Sequence, residues 1–292
     1  MRKILIALIM IMTAAALAAC AGQSPDAEKT DSAAVMEEFY TVIAREDAGI
    51  KDVADFIEAN IESVSENDAS EMLLKYEELQ QDYISILEND FYNNDIQSKF
   101  AEAFNAGAAD LNDTEQITDD TIKNLVNDIK EIGYKVEQAE ATFFPIIDYS
   151  FYNELSSYAT ADISEYIKIM TAESDAMPLK DAAVVISWDE VVSRAIVQEK
   201  FLRTYDDSSK AEDVRFLYEK YKYIALYGSD NTPVLDSHSK KFDSEAKAAY
   251  EQSIKNNTDS EFVDMLRGFV DVLADNGYEL TEEVEQYRES VL

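Results

Sequence analysis

The stretch Met72-Leu73-Leu74-Lys75-Tyr76-Glu77-Glu78-Leu79-Gln80-Gln81-Asp82-Tyr83-Ile84-Ser85-Ile86 decides the fold class. Met72, Tyr76, Leu79, Tyr83 and Ile86 step by four, three, four and three, the spacing of one apolar stripe on a helix packed along another. The same period recurs outward from it. Val53, Ile57, Ile61 and Val64 share a face on the amino-terminal side, and Ile96, Phe100 and Phe104 follow on the other. Ile122, Leu125, Ile129 and Ile132 repeat the pattern, then Ile163, Ile167 and Met170, and less regularly Val192, Ile196 and Leu202. Val214, Leu217, Tyr221 and Ile224 make another stripe, and Phe262, Leu266, Phe269 and Leu273 the last. The expectation is an all-α chain, a helical bundle or a short helical-hairpin array, with two packed helical halves as one form of it.

Helix ends agree with these stripes. Of seven glycines, Gly49, Gly107, Gly133, Gly228 and Gly277 each stand near the end of a periodic segment. Glycine accepts the left-handed conformation that closes a helix, so these five read as C-caps. Thr118-Asp119-Asp120, Asp259-Ser260-Glu261 and Thr281-Glu282-Glu283 offer capping side chains and acids where the helix dipole favours them. Ser187 with Glu190 forms a possible capping box, in competition with a longer helix starting near Pro178. Two stretches resist a helical reading. Tyr134 to Pro145 could be a connector or an extended strand, and Ala182 to Ile186 is β-branched enough for a strand although its flanks favour helix. The first suggests a boundary between helical regions at 34–142 and 143–292. The span from Gly228 to Phe242 reads as the longest later loop.

The amino terminus carries an address. Met1-Arg2-Lys3 precedes an apolar run from Ile4 to Met12 and small residues to Ala19, the pattern of a signal peptide over 1–19. The apolar run is too short to span a bilayer, which takes ~20 apolar residues. Leu17-Ala18-Ala19-Cys20 resembles the lipobox of bacterial lipoprotein precursors, and Cys20 is the only cysteine. The resemblance implies cleavage before Cys20, diacylglycerol on its sulfur, and an extracytoplasmic protein held at the outer face of the cell membrane. A single-membrane bacterium is the favoured setting. The polar run over 20–33 reads as a flexible tether.

Charge narrows the partners. The chain holds 25 basic and 60 acidic residues, a formal charge of −35, and loss of Arg2 and Lys3 with the signal peptide makes it −37. Such a charge opposes nucleic acid and anionic headgroups. Hydrophobic residues at 47% and aromatics at 11% nevertheless supply a packed core. The segment Glu199-Lys200-Phe201-Leu202-Arg203-Thr204-Tyr205-Asp206-Asp207-Ser208, with Ala211 beyond, resembles the junction between tetratricopeptide-type repeats. Asp206 replaces the usual proline, and no second copy stands ~34 residues away.

Residues for catalysis are sparse. The single histidine, His238, lies in a polar Asp236-Ser237-His238-Ser239 loop, and zinc chemistry built on His and Cys is excluded by count. Asp110-Leu111-Asn112-Asp113-Thr114 begins like a calcium loop but lacks the central glycine and ends on Thr121 instead of an acid. No catalytic residue, metal site or cofactor is assigned. Among 17 tyrosines and 13 phenylalanines most sit on the stripes, and the cluster Tyr149, Phe151, Tyr152 and Tyr158 is the aromatic surface to consider for binding. The leading expectation is a non-enzymatic lipoprotein that joins the membrane through Cys20 and binds an envelope protein or polymer through helix faces. The alternatives are a carboxylate-dependent hydrolase of envelope glycan or peptide, and a solute-capturing lipoprotein of a transporter.

Overall fold

The computed structural model describes residues 25–292 except 93, 94, 106, 108, 109 and 237, with side chains from Ser32 onward. Among the described residues eleven α-helices carry the fold, and the only strands form three two-stranded antiparallel hairpins. The chain is all-α in class, as its periodicity predicts. No described helix is long and apolar enough to cross a membrane.

Three connected cores follow the chain. The first lies among α1 (Pro25–Ala44), α2 (Ile50–Asn60), the front of α3 (Glu66–Tyr92) and α6 (Ala161–Asp175). The second gathers the back of α3, α4 (Ile96–Asn105), α5 (Asp120–Lys130) and the hairpin β1 (Tyr134–Ala139) with β2 (Thr142–Ile147). Its centre is a stack of rings, Phe91 on Phe100 at 5.2 Å and Phe100 on Phe143 at 5.4 Å. The third is built by α7 (Trp188–Thr204), α8 (Ala211–Tyr227), α9 (Ser244–Asn256), α10 (Glu261–Asp275) and α11 (Glu282–Val291). Phe262, Leu266, Phe269 and Leu273, the last predicted stripe, are fully buried within it.

Helix α3 shows where a strict period misleads. Met72 and Tyr76 are buried, but Ile86 is 51% exposed and burial passes to Leu87 and Phe91. A spacing of 3.5 drifts by ~20° per heptad against a straight helix, so two heptads carry the stripe off the buried face.

Several expectations are corrected. The expected tether over 20–33 is helical from Pro25 onward, while residues 1–24, with Cys20 and the expected signal peptide, lie outside the described residues. Proline suits the first turn of a helix, where its missing N–H has no partner to lose. Ser32 then fixes α1 to the start of α3, donating to Asp68 and accepting from the Ser65 amide. The boundary at 142/143 falls inside β2, and the first core joins residues from both sides of it, such as Tyr76 and Tyr166. The two regions are therefore one packed unit there. Gly49 is an N-cap with φ −84°, whereas Gly107, Gly133, Gly228 and Gly277 do take positive φ. Gly277 closes α10 with its N–H on Ala274 and the Tyr278 N–H on Leu273, the paired bonds of a Schellman end.

Ser187 settles the start of α7 by accepting from the Glu190 amide. The residues before it form a second hairpin, β3 (Leu179–Lys180) with β4 (Ala183–Val184). A third, β5 (Gly228–Ser229) with β6 (Thr232–Pro233), occupies the predicted long loop. The tips of the three hairpins meet: the Glu140 N–H donates to Asp181 Oδ1 at 2.7 Å, and the Asn231 N–H to the Ala182 carbonyl at 2.8 Å.

Helix α7 ends at Thr204 and α9 at Asn256, 52 residues on, and the dipeptide Asp207-Ser208 recurs as Asp259-Ser260 at the same offset. The buried pair Val214 and Tyr221 of α8 corresponds to Leu266 and Leu273 of α10. Two helical hairpins thus stand side by side, spaced apart in sequence by the segment that holds β5 and β6.

Candidate functional site

Of the four aromatics singled out from the sequence, two belong to the interior. Tyr149 and Tyr152 are buried, Phe151 is partly buried with its ring 5.8 Å from that of Tyr76, and Tyr158 is exposed. They do not form one accessible surface. Their hydroxyls instead complete a polar knot inside the first core. Glu77 Oε1 accepts from Tyr149 and Tyr166, each at 2.5 Å, while its other oxygen meets Lys210 Nζ at 2.7 Å. Gln80 accepts from Tyr152 and donates to the carbonyls of Ile132 and Gly133. The knot ties α3, the turn after β2, α6 and the start of α8 together. Burial would by itself lower the Lys210 ammonium, but the Glu77 carboxylate outweighs this and raises it above the ordinary lysine value. Burial pushes Tyr149 and Tyr166 well up, with Glu77 adding to both. These groups hold fixed protonation states near neutrality and act as structural ties.

A second knot lies one core further on. Arg194 donates to the Ala176 carbonyl at 2.9 Å and to Tyr221 at 3.1 Å, and Tyr221 donates to Glu173 at 2.5 Å. One turn along α7, Gln198 is buried with neither amide atom hydrogen-bonded. A buried carboxamide without partners costs about 1–3 kcal/mol, and methionine has a similar length without that cost. Gln198→Met should therefore raise stability by about 1–2 kcal/mol, read as a higher urea midpoint at unchanged slope.

An accessible aromatic strip lies elsewhere, on α8. Phe216 is 74% exposed and Tyr223 53% exposed. Seven residues apart, they share one face, with their rings ~10.5 Å apart along the axis at 1.5 Å per residue. Tyr227 extends the strip: it stacks on Tyr223 at 4.8 Å, and the Arg288 guanidinium lies 4.2 Å over its ring. This face was legible in outline, since Phe216 and Tyr223 fall opposite the stripe of Val214, Leu217 and Tyr221. Aromatics on the polar side of an amphipathic helix have no core to fill.

Beside the strip runs a groove of about 500 Å³ between α7, α8, α10 and the end of α11. Arg203, Arg215 and Lys222 stand on its rim together with Glu199, Glu219 and Glu261, over a floor that includes Leu202, Tyr218 and Met265. The predicted loop histidine His238 is exposed and its backbone N–H donates to Asp236 Oδ1. Among the described residues no cluster of three His, Cys, Asp or Glu side chains is placed to hold a metal ion. Set against models of known families, curated proteins and solved structures, the chain matches none of them.

Proposed function

We propose that the chain is an acidic lipoprotein, anchored through Cys20, that works as a non-enzymatic binding module for an envelope protein or polymer. The observation that carries this reading is the exposed strip of Phe216 and Tyr223 on α8, on a helix already firmly seated through Val214 and Tyr221. Exposed aromatic side chains rimmed by polar ones are the usual anchors of an interface. The helices beneath give the strip a rigid base, so little ordering entropy opposes binding.

The test is capture from detergent-solubilised envelopes with the wild-type chain and with a Phe216→Ser/Tyr223→Ser double variant. Exposed positions of this kind change stability by only about 0.5 kcal/mol, so fold is retained. A partner enriched by the wild type and lost by the variant is the expected result, and identical recovery by both chains, or no enrichment by either, would refute the proposal. The anchor is tested separately: cells fed a labelled fatty acid should label the wild-type protein and not a Cys20→Ser variant, because the acyl group needs the cysteine sulfur.

A further inference from the structure

We infer that the groove beside the α8 strip takes a polypeptide segment that presents a carboxylate next to an apolar side chain. This rests on the reading of α8 as a binding face, since Glu219 belongs both to the groove rim and to the row between Phe216 and Tyr223. A volume of about 500 Å³ is that of a ligand cleft.

The charges select the ligand. Three of the six charged rim residues are basic, in a chain where 25 basic residues face 60 acidic ones. Arg203 and Arg215 are loosely held. Arg203 meets Asp259 at 3.5 Å, Arg215 meets Glu212 at 3.2 Å, and the two acids are 92% and 86% exposed. Exposed pairs like these contribute at most about 1 kcal/mol, so a ligand carboxylate exchanges into them at little cost. Lys222 is held more firmly: its side chain is 15% exposed, lies over the Tyr218 ring and meets Glu219 at 3.0 Å. The guanidinium forks of Arg203 and Arg215 suit a carboxylate in particular. Glu199, in contrast, is committed to the wall: it accepts from the Ser260 hydroxyl and from the Glu261 N–H, each at 2.5 Å, at the start of α10. The apolar floor of Leu202, Tyr218 and Met265 receives the neighbouring side chain. The net charge of the mature chain repels polyanions, which limits the ligand to few carboxylates.

Calorimetric titration of the purified full-length chain in detergent tests this with three blocked hexapeptides of leucine, tyrosine and one variable residue. The variable residue is glutamate, glutamine or lysine. The glutamate peptide should bind about tenfold more tightly than the glutamine peptide, a difference of ~1.4 kcal/mol, and the preference should shrink as salt is raised. It should vanish in an Arg203→Gln/Arg215→Gln variant whose unfolding curve matches the wild type. Equal binding of the glutamine peptide, tighter binding of the lysine peptide, or no binding of any of the three overturns the inference. If the ring variant still loses an envelope partner while the peptides fail, the groove assignment falls and the binding-module reading stands. If the peptides behave as expected and no envelope partner depends on the rings, the reverse holds.

Discussion

Lys210→Met should destabilise the chain by about 3–5 kcal/mol, because it leaves the Glu77 carboxylate buried without its counter-charge. Glu77 and Lys210 side chains are only 4% and 15% exposed, so water replaces little of what is lost. The tyrosine hydroxyls of residues 149 and 166 still reach Glu77, but they donate to one oxygen and leave the other facing a methionine. The double variant Glu77→Gln/Lys210→Met removes both charges and keeps an acceptor for the tyrosines. It should lose clearly less than the single variant, and urea unfolding of the pair measures the difference. The same knot makes the protein labile to alkali. Tyr149, Tyr166 and Lys210 all have folded-state values above those of an unfolded chain. A raised value stabilises fully below the unfolded one and is lost as pH climbs past it, so stability should hold to about pH 10 and fall beyond. Unfolding midpoints measured across that window check the sign.

Gly228→Ala should be comparably severe, at about 3–5 kcal/mol, from backbone strain added to overpacking. Gly228 ends α8 and opens β5 with φ 77° and ψ −134°, a conformation that side chains other than glycine's hydrogen resist. An added Cβ would lie 2.2 Å from the Thr232 carbonyl oxygen and 2.8 Å from the Val234 amide nitrogen. Those are backbone atoms of β6 and the residue after it, and Val234 is buried in the third core, so neither retreats easily. Gly277→Ala is the control. It shares a positive φ of 67° but has open space around the added carbon, and should cost only about 1 kcal/mol. Unfolding curves of the two variants separate collision from conformation alone.

The helices were legible because their apolar stripes record burial directly, one side chain per turn. Caps such as Asp119, Ser187, Ser260 and Thr281 were legible for the same local reason: each accepts from an amide two or three residues ahead. The hairpins were legible only in part: extended alternatives stood at Tyr134 to Pro145 and Ala182 to Ile186, where β1, β2 and β4 form, but nothing marked the turns. Glu140-Ala141 and Asp181-Ala182 turn with positive φ at both residues, although neither pair contains the glycine or asparagine that announces such a turn. Tyr149 and Tyr152 illustrate the limit for sites. Their cluster looks like a surface until Glu77 and Gln80, 72 residues earlier in each case, are brought to their hydroxyls.

By itself, then, the sequence determined the helical class, several helix starts and stops and the negative charge, and it carries the expected address at Cys20, since each depends on residues within a few positions of one another. Tertiary structure alone decided which aromatics are interior, that the two helical hairpins of the carboxyl half repeat at a 52-residue offset, and that Arg203, Arg215 and Lys222 gather on one groove. Those facts depend on distances between elements far apart in the chain. Burial of one helix face against another sets such distances, and no local pattern of residues encodes them.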